Sequence, residues 1–599
     1  MSWPRFDGPQ YNRISREGRL DLRWSNAQQP SADTSSIQLW SIPGLPGSST
    51  PLILNGKLYV SSLHTVNEKQ KNGLSNLSRI SCWDISDRDH ELAYQYEISQ
   101  FALDKQPLQN SESGTRQEPL LTSDSSLRQL FCLTWQGELH TIDSDLGHLL
   151  WKKSLSKIVN QKSSPVSIAA PLLFEHCLVV PASWYDSKKQ RTTSWLLSLD
   201  RRNGQVIWAI SDEHESFPSE LPAPIPAVYR GQIVVVFQLK PGEIQLLQIR
   251  TGKQVAAWKL SDAKACVQEL LFESEQLAVL SRNSKDSEQG KFDEASSYQW
   301  TADLFALPAH SDSVSTPENG TRLAIANPIQ LSNSYHATAL LCAGHFYVIN
   351  SEGQLRQYQA SSGKLLAQTM LTNPPKVPAT TKQNADAKPI TSAIKNPPAA
   401  LPQPTIHYLI YADNQLLVTS SEGLWCGLAP ETKKTAQTDA NAVEKSVLTL
   451  NFQQQVEGVV SLPVISQGRV YVRQPGKLIA MGSLDNLNAV SEILEPLSIL
   501  AQEKKSTIPG GLLITPRRQT LKPGWKQSFQ VQLYSDQGAF LRTLSAEELQ
   551  WGDVSLGIFD KTKGTYLAPA TFTDLQGVDQ IEVRYQSFSA QADIRIATE

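Results

Sequence analysis

The stretch GKLYVSS, residues 56–62, decides the reading of this chain: a turn residue is followed by apolar side chains at strand spacing. Seven relatives follow it, RQLFCLT from Arg128, EHCLVVP from Glu175, GQIVVVF from Gly231, EQLAVLS from Glu275, GHFYVIN from Gly344, NQLLVTS from Asn414 and GRVYVRQ from Gly468. Each predicts a β-strand entered from a tight turn, because Gly, Asn or a charged residue stands before Val, Ile, Leu, Tyr and Phe. Successive starts lie 44 to 72 residues apart, against roughly 40–45 for a compact four-stranded propeller blade. The excess belongs in loops.

A second element accompanies several copies: a strand, a turn, and a further strand that carries Trp. In GELHTIDSDLGHLLWKKSL (137–155) Gly147 precedes Trp151 by four residues, and in LLSLDRRNGQVIWAI (196–210) Gly204 precedes Trp208 by four. The glycine supplies the positive φ of the turn, and the Trp points to one face of the outgoing strand. Two copies bend the rule. After Gly252 the fourth position is Ala256, with Trp258 two further on the same face; after Gly363 it is Ala367. Gly353 is a further turn position of the same repeat.

This pairing of G-x-L-x-x-x-D with T-G-K-x-x-x-W resembles the repeat of pyrroloquinoline-quinone-type (PQQ-like) β-propellers. The resemblance covers residues 36–482, clear at Gly137 to Trp151 and Leu196 to Trp208 and faint around 266–325 and 405–453. It implies an all-β, eight-bladed propeller of the bacterial envelope-assembly-factor kind. The segment SIQLWSIPG (36–44) reads as an outgoing Trp strand with nothing before it, while the eighth copy has inner strands and no Trp strand after it. Trp40 is therefore expected to complete the last blade and remove an open edge.

The chain of 599 residues is too long for one core and predicts a repeat domain plus a second unit. With 55 basic and 58 acidic residues and a net charge of −3, no nucleic-acid partner is indicated. The six cysteines, Cys82, Cys132, Cys177, Cys266, Cys342 and Cys426, form no C-x-x-C and read as small buried hydrophobes. No 18-residue apolar run occurs, so no transmembrane segment is expected, and MSWPRFDGPQ lacks the features of a secretory signal. As written, the chain reads as cytoplasmic. WPRFDGP (3–9), however, resembles the W-P-x-F-R-G-P opening of bacterial PQQ-like proteins, many of them exported, with Asp7 in place of Arg; that resemblance implies a periplasmic or cell-envelope alternative.

In order, the expected organisation is an N-terminal extension or clasp at 1–35, the propeller at 36–482, a connector at 483–507 and a small β-sandwich at 508–599. Polar inserts at 281–299, 373–404 and 430–446 read as long surface loops, since they hold too few apolar residues to order by burial. The last unit resembles a bacterial immunoglobulin-like module through L-K-P-G (521–524), a D-x-G turn, Trp551 and Y-L-A-P (566–569). Its length suits a small sandwich.

No catalytic motif is legible. The best-known activity on this propeller, a quinoprotein dehydrogenase, implies a quinone held between a Trp and a vicinal Cys–Cys disulfide, with Ca²⁺ on Glu, Asn and Asp. No two cysteines here are adjacent. The ten histidines form no zinc pattern, His140 and His148 flanking one strand and turn. No G-x-S-x-G and no G-x-x-x-x-G-K-[ST] occurs. The resulting expectation is a non-catalytic binding or scaffolding protein with a protein partner and no cofactor. The alternatives are a PQQ- and Ca²⁺-dependent dehydrogenase, and an exported surface or glycan-binding protein. The residues singled out are accordingly repeat positions: Gly56, Trp40, Gly137, Gly147, Trp151, Gly204, Trp208, Gly252, Trp258, Gly353, Gly363 and Gly468.

Overall fold

The structure, a computed structural model, describes residues 37–68, 73–85, 90–100, 118–124, 128–215, 221–273, 275–283, 298–307, 328–331, 334, 336–371, 405–412, 414–433, 445–455, 458–466, 469–482, 506–570 and 577–596. The extension at 1–35, the loop at 373–404, nearly all of the connector at 483–507 and Gly468 lie outside them.

The strand signatures build eight antiparallel sheets, each a four-stranded meander. Blade 1 runs Leu52–Leu54, Lys57–Glu68, Gly73–Asp84, Glu91–Gln100. Blade 2 runs Leu120–Asp124, Gln129–Leu133, Glu138–Asp143, Leu149–Ser154. In blade 3 the innermost strand is split into Ser167–Ile168 and Leu172–Phe174, both paired with Cys177–Asp186, and Arg191–Asp200 and Val206–His214 follow outward. Blade 4 runs Ile225–Tyr229, Gln232–Lys240, Glu243–Gln248, Gln254–Lys259. Blades 5, 6 and 7 fall within 266–330, 337–370 and 407–455. Every copy of the signature is the second strand of its blade, where both faces pack on neighbouring sheets. This is why the pattern reads almost continuously apolar, as in the buried run Ile233 to Phe237.

The ring closes across the chain. Ile37–Pro43 pairs antiparallel with Lys477–Gly482 and becomes the outermost strand of blade 8, inside which lie Lys477–Gly482, Arg469–Gln474 and Val464–Ser466. Trp40 stands opposite Ala480 and is 8% exposed, with its ring 4.7 Å from His90 of blade 1. The edge that an open series of sheets would leave is thereby paired.

Two of the expected loops are shorter than the composition suggested. Residues 281–283 end the strand Gln276–Asn283 and Gln299 begins Gln299–Ala306; Leu424–Lys433 and Lys445–Gln455 run as a ladder as far as Lys433 opposite Lys445. The backbone is paired at these positions, so low apolar content did not mark the strand ends.

Beyond residue 506 lie three smaller sheets: Pro509–Thr515 with Gln530–Ser535 and Phe540–Leu544; Arg518–Leu521, Phe588–Ile596, Gly577–Tyr585 and Gln550–Trp551; and Lys526–Ser528, Thr565–Leu567 and Ile558–Asp560. They enclose a core that includes Ile514, Trp551, Tyr566, Ile581 and Ile594. This C-terminal unit is seated on blades 3 and 4. Leu513 and Tyr534 share one buried cluster with Ile207, Trp208 and Phe237. The Arg517 N–H donates to the Val206 carbonyl at 2.9 Å, and Gln248 Nε2 donates to the Asp536 carbonyl at 3.1 Å. No helix among the described residues is long and apolar enough to cross a membrane.

Candidate functional site

The singled-out glycines and tryptophans do not converge on one point; they recur around the ring. Gly56 lies in the turn between the first and second strands of blade 1, and Gly137 and Gly353 between the second and third strands of blades 2 and 6. Gly147, Gly204, Gly252 and Gly363 lie between third and fourth strands. Trp40, Trp151, Trp208 and Trp258 stand on outermost strands.

The purpose of the Trp and Gly spacing is visible at the junctions. Trp151 Nε1 donates to the Arg201 carbonyl at 3.2 Å, and Trp208 Nε1 donates to the Ile249 carbonyl at 2.9 Å. In blade 1 Tyr94 takes the Trp position, and its hydroxyl donates to the Ser144 carbonyl at 2.9 Å. Each acceptor lies three residues before the turn glycine of the next blade. A β-carbon on Gly204 would stand 2.9 Å from Trp151 Cζ3, and one on Gly252 would stand 2.7 Å from Trp208 Cδ2. The glycine therefore serves two needs, a φ near +70° and a flat seat for the preceding blade's aromatic ring. Trp258 stacks on Phe305 of blade 5 at 5.2 Å.

Because the strands form meanders, the first-to-second and third-to-fourth turns share one end of the ring. Ion pairs cross the first three junctions there. Lys57 Nζ meets Asp145 Oδ1 at 2.9 Å, Arg201 pairs with Asp124, and Arg250 Nε meets Glu175 Oε2 at 2.7 Å. At the closure Arg469 Nη1 donates to the Ile85 carbonyl at 3.2 Å. Burial would raise the Glu175 carboxyl, but the hydrogen bond and charge of Arg250 hold it below the usual carboxylate range.

The opposite end carries the most buried charge in the ring. Arg473, 0% exposed, donates through Nη1 to Glu118 Oε2 at 3.2 Å and to the Ser49 carbonyl at 2.8 Å, and through Nη2 to the Pro46 carbonyl at 2.8 Å. Glu118 also accepts the backbone N–H groups of Ser48 and Ser49, the latter at 2.8 Å. This network ties blade 8 to the entries of blades 1 and 2, and burial pulls the guanidinium pKa down while Glu118 opposes that shift. Arg473, the second Arg of GRVYVRQ, was its only trace in the sequence; its partner Glu118 lies 355 residues away.

The inner wall is largely apolar. Its strands contribute LIL at 52–54, IPAVY at 225–229, ATALLC at 337–342 and VIS at 464–466, nearly all buried. Two of its carboxylates are committed to the scaffold: Asp124 to Arg201, and Glu269, whose Oε2 accepts the Ala339 N–H at 2.8 Å. Among the described residues no three His, Cys, Asp or Glu side chains come together. None of the six cysteines forms a disulfide, five of them are buried, and burial pushes the thiols of Cys82 and Cys177 up to about 11 and about 12, so they stay protonated at neutral pH. No two of the cysteines are adjacent in the sequence.

A family model described as outer membrane protein assembly factor BamB matches residues 119–312, which span blades 2 to 5. Residues 119–312 are thus similar to a PQQ-like β-propeller repeat region. No curated protein sequence matches the chain. Among solved structures, BamB from Moraxella catarrhalis is 12% identical, covers 75% of this chain and 99% of its own, and gives a TM-score of 0.42. A europium-containing methanol dehydrogenase is 10% identical over 80% of this chain and 98% of its own, with a TM-score of 0.39. The designed protein Ika8 is 12% identical over 70% and 94%, with a TM-score of 0.37. The fold rests on the sheets themselves rather than on these likenesses.

Proposed function

We propose that the chain is a non-catalytic platform on which its PQQ-like propeller binds partner proteins. The observation that carries this reading is the commitment of the propeller's interior. Asp124, Glu269, Glu118 and Arg473 are used to join blades, and the inner strands add mostly buried aliphatic side chains. Apolar groups available to a partner stand on the outside of the ring, Leu146 at 65% exposure being the most open of them among the described residues of the propeller. The match of blades 2 to 5 to the assembly factor BamB supports the same class. The C-terminal unit fits an immunoglobulin-like sandwich in our reading, with Ile514, Trp551 and Ile594 between its sheets; it adds a second binding face at a fixed position on blades 3 and 4.

The test is affinity purification of the tagged full chain from its native cells, followed by reconstitution of the recovered partner from purified components. Binding that saturates at a fixed ratio is the expected result. A chain that recovers no partner at native abundance and reduces an electron-acceptor dye with PQQ and Ca²⁺ would reverse the assignment.

A further inference from the structure

The repeat provides an internal comparison between blades 2 and 3. In blade 2, Leu149 stands opposite Ile142 and Trp151 opposite Thr141, with Leu150 bulged between them; in blade 3, Val206 stands opposite Leu199 and Trp208 opposite Ser198, with Ile207 bulged between them. Leu149 and Leu150 are thus the counterparts of Val206 and Ile207. Both pairs begin two residues after the turn glycine.

On blade 3 the step is covered by the C-terminal unit. The Val206 carbonyl accepts the Arg517 N–H, and Ile207, 2% exposed, packs in one cluster with Leu513 and Tyr534, while the Val206 side chain packs inward with Phe131 and Leu199 of blades 2 and 3. What covers it is the strand Pro509–Thr515, the outer member of its own sheet, which pairs on one side only with Gln530–Ser535. On blade 2 the same step is bare: Leu149 is 48% exposed and Leu150 47%, with Leu146 on the adjoining turn. Leu149–Ser154 likewise pairs on one side only, with Glu138–Asp143. Blades 1 and 4 lack the apolar pair, having Ala93 in the bulge and Gln254 at the first position, and on blade 6 Leu366 is half-buried beside Leu365.

We infer that the Leu149–Leu150 step of blade 2 is a docking surface for a partner protein that presents a free β-strand edge with aliphatic side chains. This inference rests on the platform reading and names the surface it uses. At the counterpart step no ladder joins Pro509–Thr515 to Val206–His214, and the contact is the apolar packing of Leu513 on Ile207, so the partner's aliphatic side chains seat on the two leucines. A second copy of this chain is a poor occupant, because its own Pro509–Thr515 strand is already spent on blade 3. The chemistry recognised is the one the chain itself displays at the counterpart step.

The test uses a fluorescein-labelled peptide of residues 508–517, IPGGLLITPR, titrated with the full chain up to about 1 mM. Saturable binding is expected, weakened about tenfold or more in L149D/L150D, unchanged in Q254D, and lost for a peptide carrying Leu512→Asp and Leu513→Asp. Both leucines are half exposed, so the variant should keep its thermal midpoint, which is checked first. Absence of saturable binding, or equal binding by L149D/L150D, overturns the inference. The platform reading is judged separately: partners recovered equally by wild type and L149D/L150D sink this surface and leave the platform standing, whereas a wild-type chain that recovers no partner sinks the platform and leaves the peptide titration to decide the surface.

Discussion

The ring of Trp208 lies flat against Gly252 of the next blade, so close that a β-carbon at 252 would stand 2.7 Å from its Cδ2, and its indole N–H donates to the Ile249 carbonyl at 2.9 Å. Trp208 is 0% exposed. Trp208→Ala removes a buried aromatic and a hydrogen bond and is expected to cost about 3–5 kcal/mol. Gly252→Ala keeps the Trp but forces a side chain into a left-handed turn against the ring, and is expected to cost at least about 1 kcal/mol. Urea unfolding checks both, as a lowered midpoint with an unchanged slope.

Arg473 and Glu118 hold the ring closure. Arg473→Ala leaves a buried carboxylate without its partner, with an expected cost of about 3–5 kcal/mol, while the paired change R473M/E118Q is expected to recover a large part of that loss because no charge is then stranded. A double-mutant cycle by denaturant unfolding measures the coupling. A cycle that sums to the two single effects contradicts the assignment of this pair as the clasp. Gly47→Ala should act on the same network, since its β-carbon would land on the Glu118 carboxylate.

Two buried histidines set a pH dependence. Burial lowers the pKa of His140 and of His407 from 6.5 to about 4. Their exposures are 5% and 4%, and His140 Nδ1 shares a 2.9 Å hydrogen bond with the Tyr96 hydroxyl. Between pH 6.5 and 4 the unfolded chain binds protons that the folded chain refuses, so stability is full above 6.5 and falls as the pH drops toward 4. Thermal midpoints taken across this window should decline, and replacing both histidines by non-titrating residues should flatten the decline. An unchanged decline in the double variant would assign the effect to other groups.

Arg250 ties the C-terminal unit to the ring. It pairs with Glu175 and also donates to the Gly538 carbonyl at 3.4 Å, while being only 5% exposed. Arg250→Ala strands the Glu175 carboxylate and is expected to cost about 2–3 kcal/mol. Hydrogen exchange should then quicken in both 530–535 and 206–210, because Tyr534 and Ile207 share one cluster. Faster exchange in only one of the two segments would mean that the units are not coupled through this contact.

How far the sequence was legible follows from the range of each interaction. The second strand of every blade packs on both faces, so each announced itself as an apolar run after a turn. The Gly-to-Trp spacing was legible at Gly204 and Trp208 because both ends of the motif lie in one hairpin, even though the contact they make is with the next blade. At the junction of blades 4 and 5 Trp258 stacks on Phe305, a contact between residues 47 apart that no short motif spells out. The ion pairs were not legible: Lys57 and Asp145 are 88 residues apart, Arg473 and Glu118 are 355 apart, and a charge on a strand does not name its partner. Nor did the pattern of residues 509–515 say that this strand would lie on blade 3, since the same Leu-rich alternation serves any packed sheet.

The central claim is that this ring joins proteins and that its interior holds no quinone. Its most direct test is calorimetric titration of the full chain with PQQ in the presence and absence of Ca²⁺, followed by absorbance in the quinone band. The expected result is no saturable heat, no Ca²⁺-dependent spectral shift and no dye reduction. One-to-one binding that requires Ca²⁺ and shifts the quinone absorbance would contradict the account and return the propeller to the quinoprotein dehydrogenases.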